Sequence, residues 1–215
     1  VKRFAGDLTH HGGSPAAVTE LSMDMSPAFI CGAQANFAHA QITFDRFHVM
    51  KKLSEAIDEV RRAEQQHTPA LKKSRYLWLK NRKNLTTKQA QSLAWLTRPS
   101  MHLATARAYR WREDFQAFYA QPDLTTAQAY LRRWCYGAKR SRLAPLKNFI
   151  TMIEAHWNGI IRWHTSRITN GLLEGTNSLI QAAKARACGY RNKQKMITII
   201  YLIAGKLPLP TTHTN

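Results

Sequence analysis

Only two short stretches of this chain read as strands, and each stops at an aspartate. Val18-Thr19-Glu20-Leu21-Ser22-Met23 alternates apolar and polar residues, the pattern of a half-buried strand, and ends at Asp24. A second strand is expected over residues 40–44, ending at Asp45. Between them, Ser26-Pro27 offers an N-cap and a first helical residue for a short helix toward Ala35. Beyond Asp45 the period changes from two to 3.6. Val49, Leu53, Ile57 and Val60 form one stripe of a helix over 48–64, with Lys51, Lys52, Glu55, Asp58 and Glu59 mostly off it. No later segment alternates, so the fold class is mostly α with a small β component.

Residues 66–145 hold helix candidates over 87–96, 103–119 and 126–136, with breaks expected at Pro69, Pro99, Pro122 and Gly137. Tyr76, Trp78, Trp95, Tyr109, Trp111, Tyr119 and Trp134 fall here at helical spacing beside Leu and Ala, which favours packing over a base-stacking surface. A long helix is then expected over 146–163, a break at 168–171, a helix over 172–186, and a last helix to Ala204 after Cys188-Gly189-Tyr190-Arg191-Asn192. The domain expectation is a strand-bearing part over 1–65, a helical block over 66–145, returning helices over 146–205 and a frayed tail over 206–215.

Charge narrows the partners. Lys and Arg number 32 against 13 Asp and Glu, a formal charge of +19. Such an excess points to a polyanion, because cations that neutralise phosphates release counterions. A merely solvated basic surface is the plainer alternative. The apolar run 196–204 is too short to span a bilayer, and no signal peptide opens the sequence, so a cytoplasmic location is expected. Three scattered cysteines supply neither a disulfide framework nor a zinc knuckle. The chain starts without methionine, in what reads as a helix tail, and an upstream part is expected.

Two acids stand out, each with two readings. Asp24, at a strand end, sits where open sheets present ligand-binding side chains, or else serves as a helix-entry residue ahead of Pro27. Glu174 follows Asn170-Gly171, where Asn170 caps and an acid in the first turn complements the helix dipole. Alternatively, Glu174, Asn177, Gln181 and Lys184 share a face toward a substrate. Asp45, at the second strand end, reads as a metal ligand or a neighbour of one, and His48 as a phosphate contact or the cap of its helix. Phosphodiester chemistry requires such acids to hold two divalent ions roughly 3.5–4 Å apart around one phosphate, and Mg²⁺ accepts two or three carboxylates plus water. Basic clusters with interleaved aromatics suit backbone-tracking DNA contacts: Lys184, Arg186, Tyr190, Arg191, Lys193 and Lys195; 72–83; and 132–142.

Together, "VTELSMDMSPAFI", "AQITFDRFHVMKKLSEAIDEVRRAE", "LKKSRYLWLKNRKNLT" and "RITNGLLEGTNSLIQAAKARACGYRN" resemble, in order and spacing from Val18 to Ala204, the ISL3 family of bacterial insertion-sequence transposases. The resemblance implies a partial ribonuclease-H-like α/β core interrupted by a helical insertion, and metal-dependent cleavage of element ends with strand transfer to target DNA. It implies Asp24 as the second acid of a DDE triad and Glu174 as the third, 150 positions apart, holding two Mg²⁺ or Mn²⁺ ions together with a first acid upstream of Val1. Asp45, His48 and Asn177 would stand beside that site. A homo-oligomer on DNA is expected, and the chain alone is expected to be inactive. The alternative is a non-catalytic DNA-binding remnant, or a basic helical nucleic-acid-binding module.

Overall fold

The computed structural model describes residues 1–205, apart from the side chain of Leu172. The expected tail over 206–215 lies outside the described residues. Two compact units divide the chain, the first Val1–Ile168 and the second beginning at Thr169.

The first unit opens with helix α1 (Lys2–His10) and the unit read from the sequence: strand β1 (Glu20–Met23), helix α2 (Pro27–Asn36), strand β2 (Gln41–Phe44) and helix α3 (Arg46–Gln65). The strands pair in parallel, Glu20 opposite Gln41 through Met23 opposite Phe44. A parallel pair needs a crossover, and α2 supplies it. Residues 8–10 close α1, and the turn comes at His11 and Gly12, where Gly12 takes φ +80°.

Helices follow: α4 (Arg75–Leu79), α5 (Thr87–Leu96), α6 (Ala104–Gln116), α7 (Leu124–Lys139), α8 (Ala144–Ala155), α9 (Trp157–Ile161) and α10 (Trp163–Ser166). The stripe Val49, Leu53, Ile57 and Val60 is buried, and α3 packs against α4, α6 and α8. One core cluster runs from Phe44 to Trp163 and contains Trp78, Tyr109, Tyr119 and Trp134. Trp111 is half-buried against it, whereas Tyr76 and Trp95 are exposed.

Gly137 does not break a helix. It lies within α7, where a Cβ would stand 2.7 Å from Trp111 Cη2, so its use is close packing rather than termination. The single helix expected over 146–163 is three. His156 leaves helical geometry at φ −113°, ψ 20°, and α9 turns down onto β2. There a Cβ on Gly159 would meet the Phe44 ring at 2.5 Å. Arg162, at the end of α9, binds Glu20 of β1, with Nε to Oε2 at 3.3 Å, and Thr43 of β2 shares a 3.0 Å hydroxyl hydrogen bond with Ser166 of α10. The returning helices thus grip the small sheet from the chain's far end.

Helix α6 is capped from a distance. Its N-cap residue is Leu103, which offers no acceptor, and Glu64 in the last turn of α3 supplies one instead. Ala104 N donates to Glu64 Oε1, and Thr105 N and Oγ1 both donate to Oε2, each at 2.7 Å. A carboxylate on a helix N-terminus satisfies orphan donors and complements the dipole. Glu64→Ala is expected to lower the unfolding free energy of the first unit by about 2–3 kcal/mol, since a charge-assisted acceptor is lost. Glu64→Gln should lose less than half of that. Urea unfolding read at both variants checks it, and equal losses would be the wrong outcome.

The second unit contains α11 (Gly171–Arg186) and α12 (Lys193–Gly205), packed on each other. Gly189 N donates to Lys184 O at 2.9 Å, with Cys188 and Gly189 both at positive φ, and this turn ends α11. Asn192 Oδ1 then accepts from Gln194 N and Lys195 N at 2.8 and 3.2 Å and starts α12. No described helix is long and apolar enough to cross a membrane.

Candidate active site at the strand ends

The register fixes two of the candidate acids as neighbours. With Met23 opposite Phe44, the next positions on the two parallel strands are Asp24 and Asp45, and Asp45 N donates to Met23 O at 3.0 Å. Adjacent strands run about 4.7–4.9 Å apart. Both acids therefore leave the sheet side by side at its carboxyl edge, the edge where such sheets present ligand-binding groups.

Their local roles differ. Asp24 is half-buried, and its Oδ1 accepts from Ser26 N at 2.9 Å, a turn that leads into α2. Ser26 stands at the N-cap of α2 without a side-chain cap bond, so Asp24 takes part in the helix entry that the plainer reading of its position required. That turn engages one carboxyl oxygen. Asp45 is buried, 2% exposed, and caps α3 by accepting from Phe47 N at 2.6 Å. Helix α3 begins at Arg46, two residues before the expected start, because the cap is Asp45 and not His48. His48 sits half-buried in the first turn of α3, its ring edge-on to Phe47 at 5.7 Å.

A cationic and aromatic layer lies next to Asp45. The Arg46 guanidinium stands over the Tyr119 and Trp163 rings at 5.5 and 5.8 Å, and Arg167 over Trp163 at 4.6 Å. Tyr119 Oη and Trp163 Nε1 are buried without a hydrogen-bond partner among the described residues. Burial pushes the Tyr119 hydroxyl well above the ordinary tyrosine range, Arg46 draws it down and Asp45 pushes it up again. Tyr119 thus stays protonated at any working pH. Helical spacing reads Tyr119 as core and singles out neither Trp163 nor Arg167. No periodicity could have linked residues 46, 119, 163 and 167, which meet only because α9 and α10 fold back onto β2.

His164 is buried between Phe118, Tyr119 and Trp163. Burial first and Arg167 second hold its pKa below the ordinary value; backbone groups of Gln121 and Phe118 and the Asp123 carboxylate pull the other way. The fold therefore favours neutral imidazole. Below the unfolded value of about 6.5 the unfolded chain binds a proton that the folded chain resists, so stability is full above that pH and falls as pH drops through it, by at most ~1.4 kcal/mol per pH unit for one group. His164→Phe should flatten this decline between pH 6.5 and 5 in melting curves. An unchanged acid limb would show that another group causes it.

Glu174 belongs to the second unit. It is half-buried in the first turn of α11. Asn170 occupies the N-cap position without a side-chain cap bond, contrary to expectation, and Thr169 Oγ1 accepts from Gly171 N at 3.3 Å in its place. Asn177, Lys184, Arg186, Arg191 and Lys193 are exposed and Tyr190 half-buried. Asp7, the acid nearest the start, pairs with Arg3 at 3.8 Å on the surface of α1 and stands at no strand end. Among the described residues no three His, Cys, Asp or Glu side chains gather as a metal centre. The strand-end donors are nonetheless hard carboxylate oxygens, the chemistry that Mg²⁺ and Mn²⁺ prefer.

The chain matches the model of a family described as "Transposase", the DDE transposases of the ISL3 type, over residues 1–200. It is 32% identical over 190 residues to the transposase for insertion sequence element IS1001 of Bordetella parapertussis, covering 85% of this chain and 46% of that protein. It is 31% identical over 147 residues to the transposase for insertion sequence element IS1557 of Mycobacterium tuberculosis, covering 67% of this chain and 32% of the relative. The chain thus spans less than half the length of these relatives. No solved structure matches it.

Proposed function

The chain belongs to the ISL3 family of DDE transposases, and we propose that it is the later part of a ribonuclease-H-like catalytic domain that cuts element ends and joins them to target DNA. The observation that carries this reading is the register that brings Asp24 and Asp45 out together at the carboxyl edge of two parallel strands. Asp24 and Glu174 are the second and third acids of the triad, and the first lies in the part of the relatives' length that this chain does not span. The helices over 66–145 are the insertion that separates the two acids in sequence.

In the complete protein Asp24 and Glu174 would hold a pair of Mg²⁺ or Mn²⁺ ions. Bound there, the ions supply an acidified water or 3′-hydroxyl and charge stabilisation for the leaving oxygen. The chain's own residues do the positioning. Asp24 is held at the strand end by its turn onto Ser26 N. Asp45 fixes the start of α3, and with it Arg46 and His48, beside that carboxylate. Lys184, Arg186, Tyr190, Arg191 and Lys193 carry DNA backbone contacts around the turn that ends α11, and the active assembly is a homo-oligomer on DNA at the nucleoid.

With two of three metal anchors, the 215-residue chain is expected neither to nick nor to join transposon-end DNA, whereas the full-length protein does both. Metal-dependent nicking by the short chain, lost on Glu174→Gln, would overturn the assignment of a missing acid.

A further inference from the structure

The acids of the first unit are distributed unevenly among its arginines. Asp58 alone serves Arg61, Arg62 and Arg75, at 2.8, 3.7 and 3.4 Å; Arg112 has Glu113 at 2.7 Å, and Arg162 has Glu20. A cleft of about 740 Å³ between α6 and the α7–α8 turn receives no such balance. Its walls carry Arg107 and Arg110 from α6 and Arg140 and Arg142 from the turn, over a half-buried Trp111 floor. None of these four arginines has a carboxylate within 4.0 Å among the described residues, and the cleft's one acid, Asp114, accepts the Tyr130 hydroxyl at 3.0 Å.

Packing maintains this concentration of charge. Gly137 lets α7 close to within contact of Trp111, and Trp134 Nε1 donates to Trp111 O at 3.0 Å, which fixes the floor. Arg140 lies on the Tyr136 ring at 3.4 Å, and Arg142 is held at φ +60°, an uncommon backbone state for a non-glycine residue. A guanidinium cannot shed its proton to relieve repulsion from three others, so the cleft carries a standing positive potential that only an anion relieves. Guanidinium forks match phosphate oxygens, and the exposure of all four arginines leaves them open to a long ligand rather than an enclosed small one.

We propose that this cleft is a second DNA-binding surface, on the helical block, that grips the phosphate backbone of duplex DNA apart from the contacts assigned to α11 and α12. The proposal rests on the reading of the chain as part of a DNA-transposing protein, and joins Arg140 and Arg142, from the basic cluster over 132–142, to Arg107 and Arg110 of α6, which no sequence cluster included, in one surface that holds the duplex. The recognition is of backbone and not of base sequence, since the cleft offers guanidinium forks, which match phosphate oxygens.

The test is salt-dependent binding of the chain to a 30-base-pair duplex, with Arg107→Gln/Arg142→Gln compared against the unaltered chain. Both side chains are exposed and neither enters an ion pair, so melting temperature serves as the folding control. Each lost phosphate contact lowers the log–log salt slope by about 0.9, so the double variant should lose roughly 1.8 from the slope and, with the two lines meeting near 1 M salt, about sixtyfold in affinity at ~0.1 M. An unaltered slope in a folded variant, while the parent chain binds, overturns the cleft and leaves the transposase reading standing. Absence of duplex binding by the parent chain at low salt overturns that reading itself. Saturable binding of inorganic phosphate that the double variant loses, with duplex binding unchanged, overturns the proposal in favour of a small-anion site.

Discussion

Asp24→Asn and Glu174→Gln, each introduced into the full-length protein, are expected to cut strand transfer by about a thousandfold or more, which corresponds to roughly 4 kcal/mol of activation barrier. The two substitutions are chosen because their geometry is nearly neutral. An asparagine at 24 keeps an Oδ1 that can accept from Ser26 N, so the turn into α2 survives and only the negative charge is removed. If Asp24 were a helix-entry residue and nothing more, asparagine would serve as well, and activity would be unaltered. Asp24→Ala also removes the turn, and should add a stability loss of about 0.5–2 kcal/mol to the loss of chemistry. Glu174→Gln keeps side-chain length in the first turn of α11 and forgoes at most ~1 kcal/mol of helix-dipole interaction. Oligonucleotide strand transfer in Mg²⁺ and in Mn²⁺, read beside melting temperature, separates charge from fold. Wild-type transfer by either variant would remove that residue from the active site.

Much of the architecture follows from patterns that are local in sequence. The two strands, the helix between them and the stripe of α3 depend on period and on capping residues a few positions apart, and they stand within two residues of expectation at most boundaries. The family was legible for a related reason: four blocks in fixed order each encode a local element. Long-range packing was not legible. Gly137 looked like a break because glycine is a poor helix former, yet its missing Cβ admits Trp111, 26 positions earlier. The helix expected over 146–163 has no proline to end it; His156 breaks it because Gly159 must come down on Phe44. The distant cap of Glu64 on α6 leaves no trace in the residues around Leu103. At the site, Asp24 and Asp45 each marked a strand end, but that they are register neighbours depends on which way the strands pair, and the sequence does not state this.

Trp78 is the largest fully buried side chain among the described residues, and Trp78→Ala is expected to lower the unfolding free energy of the first unit by about 3–5 kcal/mol. Trp78 is fully buried although it lies on α4, a helix of only five residues that cannot hold itself together. Its Nε1 donates to Ser74 Oγ at 3.0 Å, Ser74 Oγ donates to Leu71 O at 2.6 Å, and the indole meets the Tyr109 ring edge-on at 5.6 Å. The indole thus locks the segment between α3 and α4 to α6. Alanine would leave a cavity that close-packed neighbours fill only in part, and would strip Ser74 of its donor. At about 2–4 °C per kcal/mol for a unit of this size, the melting temperature should fall by roughly 6–20 °C. Trp78→Phe keeps an edge-on ring against Tyr109 but loses the Nε1 donor, and should therefore lose markedly less. Its deficit isolates the hydrogen bond and the smaller ring volume from the whole cavity. Denaturant unfolding of both variants reads the ordering directly. A loss below about 1 kcal/mol for alanine would mean that α4 is held by its flanking turns, since surface substitutions fall near that range, and the core would then have to be redrawn around α3, α6 and α8 alone.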